Sequence, residues 1–106
     1  AAASYSVSGV KRLWRETAFR HEVLIGALGL GLYLSLGAKP HELLVYGILF
    51  VVLVAVEALN TAIEEIIDHV SPHWSEAGRN AKDLGSLAVM CVLIGHGILL
   101  GWVLFT

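Results

Sequence analysis

Glu57, Asn60, Glu64 and Asp68 follow one another at i, i+3, i+7 and i+11, a spacing that puts all four on one face of an α-helix. They follow a run, Leu43–Val56, that contains no charged side chain. Carboxylates and an amide at membrane depth are costly unless they pair, bind a metal or line a wet cavity. Glu57, Glu64 and Asp68 are hard oxygen donors of the kind Mg²⁺ takes together with phosphate oxygens and water. Glu57 is the deepest of them and has no charged side chain four residues away on either side, which suits a proton acceptor. The competing account is an ion-paired glutamate that fixes helix register. For carboxylates inside a membrane, function is the default expectation.

A second polar group is Lys82-Asp83. The lysine could bind phosphate and the aspartate could orient it or a metal. An interfacial pair that ends a membrane span explains it equally well. Glu16 and Glu22, which flank Arg20, are either further carboxylates of a site or partners of nearby arginines. The histidines suggest no zinc site. Pro72 separates His69 from His73, Val45 stands where a second histidine would follow His41-Glu42, and His96 lies alone in an apolar run. There is no GxxxxGK[ST] loop and no soluble-kinase HRD or DFG set. ATP chemistry, if this chain performs it, falls to carboxylates and a lysine at a membrane surface.

The elements that position these groups follow from hydropathy. Of the 106 residues, 57% are hydrophobic and 15% charged, with mean hydropathy +0.74. A soluble domain carries roughly 25% charge. Val23–Ala38, Leu43–Val56 and Leu84–Thr106 contain no Asp, Glu, Lys or Arg, and about 20 mostly apolar residues cross a bilayer core. The expected fold is an all-α membrane protein in one domain over 1–106. It has an N-terminal interfacial amphipathic helix over 5–21 and three transmembrane helices over 22–39, 42–68 and 82–106. A cytoplasmic loop covers 71–81. Val7, Val10, Trp14 and Ala18 form the apolar face of the surface helix. Ser71-Pro72 reads as a cap and first position of a new helical turn. Gly26, Gly29 and Gly31, and likewise Gly97 and Gly101, read as close-packing sites. Lys11, Arg12, Arg15, Arg20, Arg79 and Lys82 place the N-terminus and the second loop in the cytoplasm by the positive-inside rule. The polar stripe then lies at the cytoplasmic end of its helix. No signal-peptide cleavage pattern is expected, and the single cysteine, Cys91, allows no internal disulfide.

Glu57-Ala-Leu-Asn60-Thr-Ala-Ile-Glu64-x-x-x-Asp68, then Ala81-Lys82-Asp83-Leu-Gly85-Ser86, closely resembles the small integral-membrane prokaryotic diacylglycerol kinases. Glu16-Thr-Ala-Phe19-Arg20-His-Glu22 matches the segment ahead of that family's first spanning helix. The likeness runs from about Tyr5 to the C-terminus in order and spacing. It implies a homotrimer in the bacterial inner membrane, with active sites shared between subunits on the cytoplasmic side. It also implies transfer of the ATP γ-phosphoryl group to diacylglycerol, giving phosphatidic acid. By that resemblance Glu57 is the general base and contacts the lipid with Ser86. Glu16 and Glu64 hold Mg²⁺, and Tyr5, Glu16, Asn60, Glu64, Lys82 and Asp83 bind the nucleotide. A related branch phosphorylates undecaprenol; Gly85-Ser86 and Glu22 are more similar to the diacylglycerol branch. A proton-coupled membrane transporter and a purely structural membrane subunit are the competing classes. A transporter requires a polar path open to both sides, whereas the stripe here gathers at one end.

Overall fold

The computed structural model describes residues 2–106; Ala1 lies outside the described residues. The described chain is all-helical. It comprises α1 (Ala2–Leu13), α2 (Thr17–Ser35), α3 (Pro40–Val70) and α4 (Glu76–Phe105). α3 and α4 form the most extensive helix pair, α2 lies on α3, and α1 touches α3.

The helix boundaries follow local chemistry and depart from the sequence expectation in two places. The surface helix stops at Leu13 instead of running to His21, because residues 14–16 form a turn and Glu16 has extended backbone angles. Thr17–His21 therefore open α2. The loop expected over 71–81 is also shorter. Ser71 is the C-cap of α3 and does not start a new helix with Pro72; Ser75 is the N-cap of α4, its hydroxyl accepting the Gly78 N–H at 3.0 Å. A capping hydroxyl satisfies one of the first free amide donors of a helix, and Ser75 directly precedes α4 whereas Ser71 closes α3. The turn between α2 and α3 is closed by a glycine. Gly37 takes φ 74, and the amides of Gly37 and Ala38 bond back to Leu34 and Tyr33. That left-handed helix end is open to glycine at little cost. Pro40 then begins α3, and Glu42 accepts the Lys39 N–H at 2.8 Å.

The α3–α4 pair runs antiparallel, since Gly78 packs near Ile67, Gly85 against Asn60 and Gly95 near Leu49. The α2–α3 contact is also close. A Cβ at Gly26 would lie 2.6 Å from the Phe50 ring, and one at Gly29 would lie 2.7 Å from the Tyr46 hydroxyl. Tyr46 joins three helices. Its hydroxyl donates to the Gly26 carbonyl at 2.5 Å, and its ring meets Tyr33 at 4.7 Å and His96 at 5.6 Å between centroids. Gly26 and Gly29 are thus packing sites as expected. Gly31, Gly97 and Gly101 are not packing sites within this chain, because open space lies where their side chains would be.

α3 and α4 are long and apolar enough to cross a membrane, each with a window of mean hydropathy 2.3. Their apolar stretches are only 17% and 6% buried, unlike the core helices of a water-soluble protein. Among the described hydrophobic residues only Leu13, Phe19, Tyr33, Leu53 and Leu99 are buried, while side chains such as Leu28, Val51 and Ile98 lie open. A continuous apolar surface of this kind belongs against lipid or other subunits.

Overpacking a close helix contact costs about 1–3 kcal/mol. Gly29→Val should therefore lower the thermal midpoint of the detergent-solubilised protein, whereas Gly97→Val should leave it near wild type. Equal midpoints for the two variants would contradict the α2–α3 packing.

Candidate active site

The α2 face that packs on α3 carries Ala18, Glu22, Gly26 and Gly29 at successive helical intervals. Small residues let the helices approach, and that approach brings Glu22 towards the polar stripe of α3. Glu16, Ala18, Glu22, Glu57, Asn60, Thr61, Glu64, Ser86 and Val89 together line a cavity of about 300 Å³ between α2, α3 and α4. Glu57 and Thr61 are buried in it. The Glu57 carboxyl lies beside that of Glu22.

Asn60 links the cavity to the helix seam. Its Nδ2 donates to Glu64 Oε1 at 2.9 Å. Its Oδ1 occupies the space that a Cβ on residue 85 would need, so glycine at that position is a packing requirement. Buried Asn60 Oδ1 and Glu22 Oε2 have no hydrogen-bond partner. Unpaired buried oxygens are uncommon and suit a polar ligand, ion or water.

A second cavity of about 270 Å³ follows along the same seam towards the α3–α4 turn. Asp68, Trp74, Arg79, Lys82 and Asp83 are among its lining residues. Lys82 Nζ donates to Asp68 Oδ1 at 2.7 Å. The residues singled out in the sequence therefore divide into two groups. Glu16, Glu57, Asn60, Glu64 and Ser86 share the carboxylate cavity, and Lys82 and Asp83 line its neighbour. Asp68 belongs with the second group, held by the lysine. Tyr5 is 76% exposed on α1 and lines neither cavity.

Thr61 is a cavity residue that sequence reasoning missed, and Glu22, for which the sequence left two readings open, lines the cavity with the other carboxylates. The available signal for Thr61 was its place four residues after Glu57 on the same helix face, and that for Glu22 its place as the one charge on the Ala18–Gly26–Gly29 face. On the other flank of the cavity, Arg12 binds Glu16 at 2.9 Å and Glu65 at 2.5 Å. These hydrogen bonds, that to Glu16 contributing most and that to Glu65 next, raise the Arg12 pKa above its ordinary value.

The donor set decides which ion fits. No group of three His, Cys, Asp or Glu among the described residues forms a metal cage by itself. Mg²⁺ does not need one, since it is commonly held by one or two carboxylates with substrate phosphates and water. Glu16 and Glu64, hard oxygen donors on the same cavity, suit that mode, whereas Zn²⁺ prefers nitrogen and sulfur.

Alongside the carboxylate cavity, an apolar groove of about 650 Å³ runs between α2, α3 and α4. Glu22 lines both spaces, and Leu28, Phe50, Leu53, Leu93 and Leu100 line the groove. Acidic groups at the head of an apolar channel, within helices that expose apolar surface, define a helical membrane protein equipped for an amphiphilic ligand. Residues 4–104 match the family described as prokaryotic diacylglycerol kinase. The chain is 48% identical over 103 residues to a diacylglycerol kinase of Sinorhizobium sp., covering 97% of this chain and 75% of that protein. It is 35% identical to the diacylglycerol kinase of Escherichia coli K12, over 88% of this chain and 77% of that one. To that of Haemophilus influenzae it is 33% identical, over 98% and 89%. The chain belongs to the prokaryotic diacylglycerol kinase family.

Gly85→Ala should displace Asn60 and destabilise the α3–α4 seam by about 1–3 kcal/mol. Denaturation in mixed micelles checks this, with Gly101→Ala, at an open position, as the reference. Wild-type stability for Gly85→Ala would overturn the Asn60 contact.

Proposed function

We propose that this protein is an ATP-dependent lipid kinase that phosphorylates diacylglycerol to phosphatidic acid. Membership of the family supports the activity. The observation that carries the mechanism is the meeting of Glu16, Glu22, Glu57, Asn60, Glu64 and Ser86 at one cavity beside an apolar groove. The groove suits lipid chains, and the cavity at its head suits the hydroxyl to be phosphorylated.

In this reading Glu57 accepts the proton of the lipid hydroxyl. Its burial keeps water from competing for the transferred group, and Ser86 is placed on the same cavity to orient the glycerol. Glu16 and Glu64 hold Mg²⁺, which when bound neutralises and aligns the ATP phosphates. Asn60 fixes Glu64 through their 2.9 Å hydrogen bond. Lys82 and Asp83, on the adjoining cavity, serve the nucleotide, with Lys82 exchanging Asp68 for phosphate, and Tyr5 joins that set by resemblance to the family. Phosphoryl transfer asks chiefly for positioning and charge neutralisation, and this inventory supplies both.

The architecture that goes with it is one domain with three spans. α2 is the third. At about 1.5 Å per residue its length comes to roughly 28 Å, close to a hydrocarbon core of about 30 Å, with Arg20, His21 and Glu22 at its polar end. α1 lies on the inner-membrane surface, and the basic residues put the site in the cytoplasm, where ATP is available. A homotrimer covers part of the apolar surface of α2–α4. It also offers a route for residues such as Tyr5, exposed in the single chain, to reach a neighbour's nucleotide.

Radiolabelled ATP with diacylglycerol, undecaprenol and ceramide side by side in mixed micelles tests the substrate. Labelled phosphatidic acid is the expected product. Its absence from the wild type sinks the proposal, and faster labelling of undecaprenol moves the protein to the related branch. Glu57→Gln should lose turnover by at least about 100-fold, the scale of a positioned acid–base group, while nucleotide binding persists. Glu64→Gln should weaken Mg²⁺-dependent nucleotide binding, and a chelator should abolish wild-type activity until Mg²⁺ is restored. An unchanged nucleotide titration for Glu64→Gln would contradict its part in holding the metal.

A further inference from the structure

Arg12 stands where three elements meet. It lies in the last turn of α1. Its Nε donates to Glu65 Oε1 on α3 at 2.5 Å, across 53 positions of sequence, and its Nη1 donates to Glu16 Oε1 at 2.9 Å. Glu16 needs such an anchor. It occupies the N-cap position of α2 with φ −79 and ψ 122, and its side chain makes no capping bond to its own helix. It hangs from a turn, at the edge of the carboxylate cavity. Glu65 comes one residue after Glu64, about 100° further round α3, and does not line the cavity.

The strength of these pairs is not their point. The side chains are 30% exposed for Arg12, 44% for Glu16 and 56% for Glu65, and ion pairs this open contribute little to stability. Their geometry is more informative. A guanidinium is a planar fork whose donors point in set directions, so engaging two carboxylates at once fixes the position of both. The Arg12 bond takes Glu16 Oε1 and leaves Oε2 for another partner. Asn60 treats Glu64 in the same way, bonding Oε1 only. Each carboxylate assigned to the cation is thus oriented by one donor, from α1 in one case and from α3 in the other.

We propose that Arg12 is a positioning residue that bridges Glu65 of α3 to Glu16 and so presents the Glu16 carboxylate to a divalent cation at the cavity. This rests on the reading of Glu16 and Glu64 as the cation's ligands. It gives the surface helix a definite task. α1 braces the metal site against α3, and Glu65, outside the cavity, belongs to the same device. Groups that orient a metal ligand typically alter metal affinity by about 10–100-fold when removed.

The test is Mn²⁺ binding followed by electron paramagnetic resonance, on the full chain in detergent with a non-hydrolysable ATP analogue. Kinase assays over a range of Mg²⁺ run in parallel. Arg12→Gln and Glu65→Gln should each raise the Mn²⁺ dissociation constant by about 10-fold. They should raise the Mg²⁺ needed for half-maximal rate in step, leaving kcat at saturating Mg²⁺ and the KM for diacylglycerol within about twofold. The double variant should be no worse than either single one, because both break the same bridge. Arg12→Lys keeps the charge without the fork and should fall between. Mn²⁺ affinity at the wild-type level in Arg12→Gln or Glu65→Gln overturns the proposal. So do additive effects in the double variant, or full affinity in Arg12→Lys. A wild type that binds Mn²⁺ with nucleotide but makes no phosphatidic acid removes the kinase reading, and the Mn²⁺ series still decides the bridge. A wild type that binds no Mn²⁺ removes the cation role of Glu16 and the proposal with it.

Discussion

Asn60 can sit over α4 only because residue 85 has no side chain, and much of the polar architecture depends on that close approach. The contact brings α4 to the stripe of α3 and leaves the Asn60 amide turned to Glu64. With the antiparallel register set there, Ser86 comes opposite the stripe and Lys82 comes within reach of Asp68. The two cavities are consecutive stretches of one seam. A bulkier residue at position 85 would separate the helices where their polar groups must meet.

A second constraint acts on the other side of α3. Gly26 and Gly29 let α2 lie against Phe50 and Tyr46, and this places Glu22 beside Glu57. Polar and apolar packing are therefore coupled. The small residues that fit α2 to α3 also decide which carboxylates share the cavity at its end. The apolar groove and the acidic cavity meet at Glu22 for the same reason. Under the proposed function, that junction would hold the reacting hydroxyl and the hydrocarbon chains of an amphiphilic substrate in adjoining spaces of opposite polarity.

Much of the fold was legible in the sequence because a membrane helix announces itself by composition. The uncharged runs ending at Val56 and beginning at Leu84 mark α3 and α4 directly. The stripe of Glu57, Asn60, Glu64 and Asp68 follows from helical periodicity alone. Helix ends were harder to read. Both Ser71 and Ser75 are chemically able to cap a helix, and which one does so depends on how the chain leaves α3. The break at residues 14–16 likewise interrupts a stretch whose apolar pattern would have continued unbroken into Ala18.

The sequence by itself determined the helical class, the apolar spans and the single-faced polar stripe, which follow from residue type and spacing within one helix, and the resemblance of three separate segments pointed to the family. Tertiary structure decided that Glu22 and Glu16 join Glu57 and Glu64, that Asp68 turns instead to Lys82, and that Arg12 ties α1 to Glu65. These contacts depend on how each helix is rotated about its axis and how closely it approaches its neighbour. Side-chain size at a few facing positions sets both, and periodicity along a single helix does not contain that information.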